Sequence, residues 1–279
     1  MNKLKKKYKL YYPMVYSRHP SHSILRAKNQ TLPLLPFRSV IRLGSTTVSD
    51  GRLEINTVEA VKNSASKLLM KQKFTEAGVK TANWVVYNTN EGIFNYPDGQ
   101  GIEMSQLIFP LVAKSHFGSR GIGNTKFTTK EELEAWLPNK NLNNYIFEEF
   151  VKMTREYRLH VTKFGCFYTC RKLVKNDAPE DTWQKHDDVC NWVLEENPSF
   201  KKPKNWDDIV ADCIKAKDAL GLDICAFDVG VQGAKDGVER ENPEWIIFES
   251  VSAPSFGAIT GQEYIKILPK LLIDKYNNK

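Results

Sequence analysis

Apolar residues recur every three or four positions in three long stretches of the chain, a spacing that places them on one face of a helix. Glycine follows the first two stretches, where it suits a helix end, and Asn56 with Glu59 resembles a cap at the start of the first. A shorter helix opens at the capping box Thr129-x-x-Glu132. The pattern predicts helices over about 57–77, from 129, over 205–221 and over 261–276, the last interrupted by Pro269.

Between the helices, short runs of β-branched and aromatic residues bounded by Pro, Gly or Asn are typical of strands. Two such runs flank Gly165 closely enough to form a hairpin. Residues 174–204 hold charges, Asn and three prolines without a clear period, so we expect a long loop there. Strands are expected at 9–16, 37–43, 84–87, 108–113, 145–151, 156–163, 166–173, 224–232 and 244–250. Helices interspersed among antiparallel-looking strands predict an α+β architecture rather than a doubly wound sheet.

Charge is distributed unevenly along the 279 residues. The formal net charge is +7, but residues 1–49 hold ten basic residues and no acidic one. This segment either meets something anionic or forms a solubilising surface. The apolar runs are too short for a transmembrane helix, which needs about 20 residues, and we expect a cytoplasmic protein. The five cysteines form no C-x-x-C pair, so they are expected to be reduced.

A glycine-rich stretch between two predicted strands is the first candidate for chemistry. The strand ending at Lys114 leads into Gly118–Gly123, and a second strand begins near Thr125. Backbone N–H groups and a lysine in such a turn can close over an anion such as phosphate. The alternative is a flexible hairpin in which His116 and Arg120 are solvated.

Polar side chains alternate with apolar ones on the strand predicted at 156–163. Alternation places Glu156, Arg158 and His160 on one face, and Arg171 and Lys172 on the following strand add positive charge. Such a face could line a cleft and hold phosphate oxygens. The alternative is a solvated face on which these residues form ion pairs across strands.

Asp228 and Glu249 each interrupt an apolar predicted strand. A carboxylate among core residues needs a cation or a strong donor, because burying it unpaired is costly. Two carboxylates on neighbouring strands suit Mg²⁺ shared with nucleotide phosphates. Alternatively, each pairs with a lysine or arginine.

The order of these features resembles the ATP-grasp superfamily from about Leu53 to the carboxyl terminus. It is most similar to carboxylate–amine ligases that add amino acids to peptides or proteins, including small phage and bacterial versions. The resemblance implies an ATP-grasp fold in which two α+β lobes clamp ATP, preceded by a short α/β amino-terminal domain. It implies a basic amino-terminal domain at 1–55, a first lobe at 56–151 and a second lobe at 152–279.

The resemblance also implies roles for individual residues, with ATP and Mg²⁺ as cofactors. Lys67 and Lys114 would contact the ATP phosphates beneath a mobile loop containing Gly118, Ser119, Arg120, Gly121 and Gly123. Glu148, Phe150 and Val151 would form the hinge whose backbone reads adenine, and Glu156 would hold the ribose. Arg158 and Arg171 would steady phosphates and an acyl-phosphate, Asp228 and Glu249 would bind magnesium, and Asn191 is loosely matched to an asparagine near the second substrate.

The closing pattern departs from that of the family. The family has E-x-N-x-x-P, whereas Val251 stands here where the asparagine ligand is expected. The predicted activity is ATP-dependent amide formation on small-molecule, amino-acid or peptide substrates, with Arg42 a candidate for gripping an acidic acceptor. Three alternatives stay open: a kinase, a non-catalytic nucleotide-binding module, and a nucleic-acid-binding protein suggested by the basic start.

Overall fold

The computed structural model describes residues 9–26, 31–118, 121–180, 182–185, 188–236 and 238–278. These residues form one parallel and two antiparallel β-sheets with α-helices packed between and around them. The predicted α+β class is therefore confirmed. Of the predicted site residues, Ser119 and Arg120 lie outside the described residues.

A small parallel sheet begins the chain, with the order β1 (Met14–Ser17), β2 (Ser39–Leu43) and β3 (Leu53–Ile55). The strand predicted at 9–16 is wrong in its extent, since β1 begins only after Pro13, which has no N–H to donate. The sheet shares a buried apolar core with the last helix, α5 (Ala258–Asn277). That helix continues through Pro269 rather than being interrupted there.

The single helix predicted over 57–77 is wrong, because two helices occupy this stretch. These are α1 (Val58–Ala65) and α2 (Lys67–Ala77), which meet at Ser66 in extended backbone with ψ of 116°. Ser66 caps α2 by accepting a hydrogen bond from the Leu69 N–H. Thr57 caps α1, so the predicted pairing of Asn56 with Glu59 is not the cap. Gly78 ends α2 with φ of 65°, as predicted.

A six-stranded antiparallel sheet covers the next part of the chain, in the order β6-β5-β4-β9-β7-β8. Its core is apolar and rich in aromatic side chains. Its elements are β4 (Trp84–Asn88), β5 (Ile93–Asn95), β6 (Gly101–Ile102), β7 (Leu111–Ser115), β8 (Thr125–Phe127), α3 (Lys130–Trp136) and β9 (Tyr145–Glu149).

A five-stranded antiparallel sheet follows, in the order β12-β11-β10-β13-β14. The long loop predicted at 174–204 is wrong in part, because β12 pairs with β11 inside it. That strand is only five residues long and is defined by its neighbour rather than by its own composition. The elements are β10 (Arg155–Thr162), β11 (Gly165–Val174), β12 (Cys190–Leu194), α4 (Trp206–Ala219), β13 (Ile224–Val231) and β14 (Trp245–Val251).

The two faces of the five-stranded sheet differ in polarity. Tyr157, Leu159 and Val161 pack with α2 and α4 in the largest core, as the predicted alternation requires. The opposite face carries Glu156 and Arg158 at one end of β10. At its other end α5 covers the sheet, and His160 Nδ1 lies 3.0 Å from the Tyr264 hydroxyl. Among the described residues, α5 leaves uncovered the end of this face that bears Glu156 and Arg158.

All five cysteines are free thiols, four of them buried. Burial raises the pKa of Cys166 to about 11 and of Cys170 and Cys225 to about 12.

Candidate functional site

The helix α2 connects the two larger sheets through two lysines one turn apart. Its apolar residues Met70 and Phe74 belong to the core beneath the five-stranded sheet. Lys67 and Lys71 point the other way, toward the six-stranded sheet. The candidate site lies where these two sheets approach each other.

Lys67 holds the start of the predicted glycine-rich loop. Its N–H donates to the His116 carbonyl at 2.9 Å, and its ammonium donates to the Gly118 carbonyl at 2.6 Å. A Cβ on Gly118 would lie 2.6 Å from the Ile122 carbonyl oxygen, so the turn requires glycine. Gly121 and Gly123 have φ of 70° and 81°. Glycine is thus required by the close contact at Gly118, which Lys67 binds, and favoured by the backbone angles at Gly121 and Gly123.

A buried triad of charges lies beside this loop. The Glu148 carboxylate forms one ion pair with Lys71, at 2.7 Å between Nζ and Oε2, and a second with Lys114 through Oε1. The side chains of Lys71, Glu148 and Lys114 are 1%, 4% and 13% exposed. The paired lysines hold the pKa of Glu148 below its usual range although burial opposes this.

The segment predicted as a hinge follows β9. The Phe150 N–H donates to the Pro110 carbonyl at 2.8 Å, and its ring lies 4.1 Å from the Lys126 ammonium. Among the described residues, the backbone of Val151 has no hydrogen-bond partner. The ring of Phe248 covers Gly230 so closely that a Cβ on Gly230 would lie 2.4 Å from the ring. Met153, near the hinge, contacts the same position. The hinge therefore borders an apolar surface and leaves Val151 open to a ligand.

Four charged side chains form a network on the open face of the five-stranded sheet. Arg158 donates two hydrogen bonds to Asp228, at 2.7 and 2.8 Å, from the neighbouring strand. Lys172 pairs with Glu156 and lies 3.3 Å from Asp228. The ring of Trp192 lies 4.8 Å from the Arg158 guanidinium and 5.2 Å from the Lys172 ammonium. These are the cross-strand ion pairs that the sequence left open as an alternative.

The network affects its two carboxylates in opposite directions. Arg158 and Lys172 hold the pKa of Asp228 well below its usual range, against the effect of burial. For Glu156 burial dominates and raises the pKa, and the charge of Asp228 adds to this, although Lys172 opposes it. Of the two carboxylates, Asp228 is thus the one that is more strongly held in its ionised form.

Glu249 lies opposite Asp228 in the β13–β14 register. Its side chain is 37% exposed, and the Lys67 ammonium is 3.8 Å away. Val251 lies opposite Ala226 on the same strand pair, two residues further along. The structure therefore brings Lys67, Arg158, Asp228 and Glu249 to one site. Among the described residues, no cluster of three or more His, Cys, Asp or Glu side chains could hold a metal ion.

Two arginines lie elsewhere than the sequence suggested. Arg171 lies on the other face of β11, where it donates to the carbonyls of Ser199 and Phe200, because Lys172 takes the open face. Arg42 is buried and cannot grip an acceptor, so that prediction is wrong. Its guanidinium is saturated by internal contacts to Thr47, Ser49, Glu54 and Asn56. Asn191 lies on β12 with an exposed side chain.

Lys71 and Trp192 are site residues that the sequence did not indicate, whereas Lys172 was expected, together with Arg171, to add positive charge. Lys71 follows Lys67 by four positions, so helical spacing places both on one side of α2. Lys172 follows Arg171 directly, and strand alternation means that only one of the two can face the cleft. Trp192 lies in a segment without periodicity, so the pattern does not indicate that it belongs to a strand facing the site.

Solved structures with this arrangement of sheets are available for comparison. The D-alanine–D-alanine ligase of Bacillus anthracis, complexed with ATP, matches 86% of this chain and 81% of its own with a TM-score of 0.58 at 13% identity. An ATP-grasp RimK domain protein of Sphaerobacter thermophilus matches 84% of this chain and 81% of its own, with a TM-score of 0.51 at 13% identity. The chain has the ATP-grasp fold.

A third solved structure is also that of an ATP-grasp ligase. The ligase PsnB, complexed with a minimal precursor, matches 81% of this chain and 64% of its own with a TM-score of 0.51 at 15% identity. The chain matches no protein-family model and no curated protein in sequence. The predicted resemblance to ATP-grasp proteins is thus confirmed for the fold. No helix among the described residues is long and apolar enough to cross a membrane.

Proposed function

We propose that this ATP-grasp protein is an ATP-dependent ligase that forms an amide or peptide bond. The observation that carries the proposal is the convergence of Lys67, Arg158, Asp228 and Glu249 between the two antiparallel sheets. Two cationic and two metal-binding groups around one gap match the needs of phosphoryl transfer, which depends on positioning and charge neutralisation. The solved ligases with the same fold support this reading.

Adenine would bind at the hinge. Val151 offers an N–H and a carbonyl without partners among the described residues, and Phe248 and Met153 offer an apolar wall. The ribose hydroxyls would donate to Glu156 at the end of β10. The phosphates would then extend toward Lys67, Lys114 and the turn at Gly118–Gly123, whose remaining N–H groups can donate to phosphate oxygens.

The carboxylates fit a magnesium ion shared with the phosphates. Glu249 is partly exposed, and Mg²⁺ typically uses one or two carboxylates together with phosphate oxygens and water. Asp228 lies beside it, and its Oδ1 accepts one hydrogen bond, leaving a second acceptor site. Bound there, the ion would neutralise charge on the transferring phosphoryl group. Val251 cannot contribute, so the chain supplies two carboxylate ligands.

In the proposed reaction, a substrate carboxylate oxygen attacks the γ-phosphorus and ADP leaves. An amine then attacks the carbonyl carbon of the resulting acyl-phosphate, phosphate leaves with the C–O bond electrons, and the nitrogen releases a proton to solvent. Arg158, held by two hydrogen bonds to Asp228, would orient the transferring phosphate. Arg171 is not assigned this role, because it lies on the opposite face of β11. Substrates of the amino-acid or peptide class are proposed for both partners.

A nucleotide-binding module without ligase activity is the second candidate. Val251 favours it, because a side chain without a donor atom occupies the position where the family pattern places a ligand. Tight binding of Mg-ADP with no ADP release from ATP under any substrate mixture would support this candidate.

The proposal is tested by incubating the protein with Mg-ATP and pooled amino acids and peptides. We expect ADP release that depends on the added substrates. Glu249→Gln should lower the rate at least about 100-fold, because a ligand for the charge-neutralising cation is lost.

Glu134→Gln is the matched control, since Glu134 is an exposed glutamate on α3 that pairs only with Lys130 among the described residues. It should keep the full rate. Substrate-dependent turnover of Glu249→Gln at the rate of the control would overturn the metal assignment, and no amide product from any mixture would overturn the ligase assignment.

A further inference from the structure

The three members of the buried triad are not equivalent. Lys71 is anchored twice, by Glu148 and by the Thr81 hydroxyl at 2.6 Å, and that hydroxyl in turn donates to the Ile247 carbonyl at 2.9 Å. Lys114 has Glu148 as its single partner among the described residues. Its side chain also keeps 13% exposure, against 1% for Lys71. Lys71 is therefore fixed, whereas Lys114 can reach a ligand.

The charges of the triad explain why two lysines are needed. Two ammonium groups and one carboxylate leave a net charge of about +1. If Lys71 were absent, Glu148 and Lys114 would form a neutral buried pair. Breaking such a pair leaves an uncompensated buried carboxylate, which is strongly unfavourable. Lys114 could then leave Glu148 for a phosphate only at that cost.

We propose that Lys71 is a positioning residue for nucleotide binding, because it keeps Glu148 neutralised while Lys114 turns from Glu148 to a phosphate oxygen. This inference rests on the proposed binding of ATP phosphates by Lys114. It adds a residue that cannot touch the nucleotide itself, since its ammonium is enclosed by Glu148 and Thr81.

The test measures Mg-ADP binding by titration calorimetry for the wild type and four variants. Lys71→Met should weaken binding by at least about tenfold, since the freed charge of Glu148 would hold Lys114. Adding Glu148→Gln to Lys71→Met removes that charge and should restore binding to within about threefold of the wild type. A residue that only supports the fold would not be rescued by a second buried substitution.

Glu148→Gln alone provides an independent readout if Lys71→Met folds poorly. It releases Lys114 from its partner, so Mg-ADP should bind at least as tightly as to the wild type. Lys73→Met is the control on the same helix, because Lys73 is exposed and pairs with Glu76; its binding should be unchanged. Thermal unfolding of each variant reports whether it is folded.

Two results would overturn the inference: wild-type affinity in folded Lys71→Met, or a double variant that is folded but binds no better than Lys71→Met. Weaker binding by Glu148→Gln would also count against it. A wild type that binds no Mg-ADP would instead overturn the proposed function together with this inference, so the two failures are distinguishable.

Discussion

Lys172 neutralises two carboxylates that would otherwise repel each other. It pairs with Glu156 on the neighbouring strand β10 and lies 3.3 Å from Asp228 on β13, the strand beyond β10. Burial raises the pKa of Glu156, and Lys172 is the main group that opposes the rise. The ionisation of the proposed ribose ligand therefore depends on a residue that does not itself touch the ribose.

We expect Lys172→Gln to make nucleotide binding more sensitive to acid. A ribose hydroxyl donates best to ionised Glu156, so affinity falls as the pH drops through the pKa of Glu156. Without Lys172 that pKa rises further, and the loss begins at a higher pH. The check is the dissociation constant of Mg-ADP as a function of pH.

The control for this prediction is Lys175→Gln, since Lys175 is a half-buried residue directly after the same hairpin, and it donates to the Asp188 carbonyl. Its profile should match the wild type. A nucleotide lacking both ribose hydroxyls should show no such dependence in either variant. An unchanged profile in Lys172→Gln would exclude the assigned role.

At the residue scale, part of the candidate site could be predicted from the sequence. The polar face of β10 and the acids at Asp228 and Glu249 could be predicted, because alternation and burial cost are local properties. Arg171 and Lys172 are adjacent, and without the register nothing indicates which one shares a face with Glu156. Pairing of Lys172 with Trp192 requires β12, whose place in the sheet is fixed by tertiary contacts.

At the element scale, the break between α1 and α2 determines where Lys67 points. The periodicity of the apolar residues continues through Ser66, so the sequence predicts one helix. In the folded chain Ser66 caps α2, and the Lys67 N–H meets the His116 carbonyl. The break depends on a contact from the six-stranded sheet, and local pattern cannot reveal it.

The contact between the turn after β2 and the segment after β14 supports an element-level prediction. A Cβ on Gly44 would lie 2.5 Å from the Cβ of Ala253, and Gly44 has φ of 69°. We expect Gly44→Ala to lower the free energy of unfolding by about 3 kcal/mol, through the backbone strain and the collision together. Urea denaturation measures this change.

Gly51→Ala separates the two causes. Gly51 has φ of 61° but no atom within 4 Å of the added Cβ, so only the backbone strain applies. The expected loss is about 1 kcal/mol. Equal losses in the two variants would show that the approach of Ala253 contributes nothing to stability.

At the scale of the whole molecule, two buried histidines make stability depend on pH. His22 lies against the Pro254 carbonyl, and His160 lies against Tyr264. Burial lowers the pKa of His22 to about 4 and of His160 to about 3, from the ordinary value of 6.5. Both are neutral when folded and protonate when unfolded, so stability is full above pH 6.5 and falls as the pH drops toward 4.

Each histidine should remove about 1.4 kcal/mol of unfolding free energy per pH unit in this window. His22→Asn should therefore lose about 1.4 kcal/mol less than the wild type between pH 7 and pH 5.5, measured by urea denaturation at both values. Carboxylates titrate equally in the two proteins and cancel in the comparison. Parallel pH dependences for variant and wild type would contradict the role of His22.

The enclosed thiols have a practical consequence for comparing variants. A thiol reacts with alkylating reagents as its thiolate, and pKa values of about 11 to 12 together with burial keep that form scarce in the folded protein. The cysteines lie on β11, β12, β13 and α4, all in the five-stranded half of the molecule. Their modification rate is thus a gauge of opening in that half alone, which would distinguish a loosened nucleotide cleft from unfolding of the body beneath it.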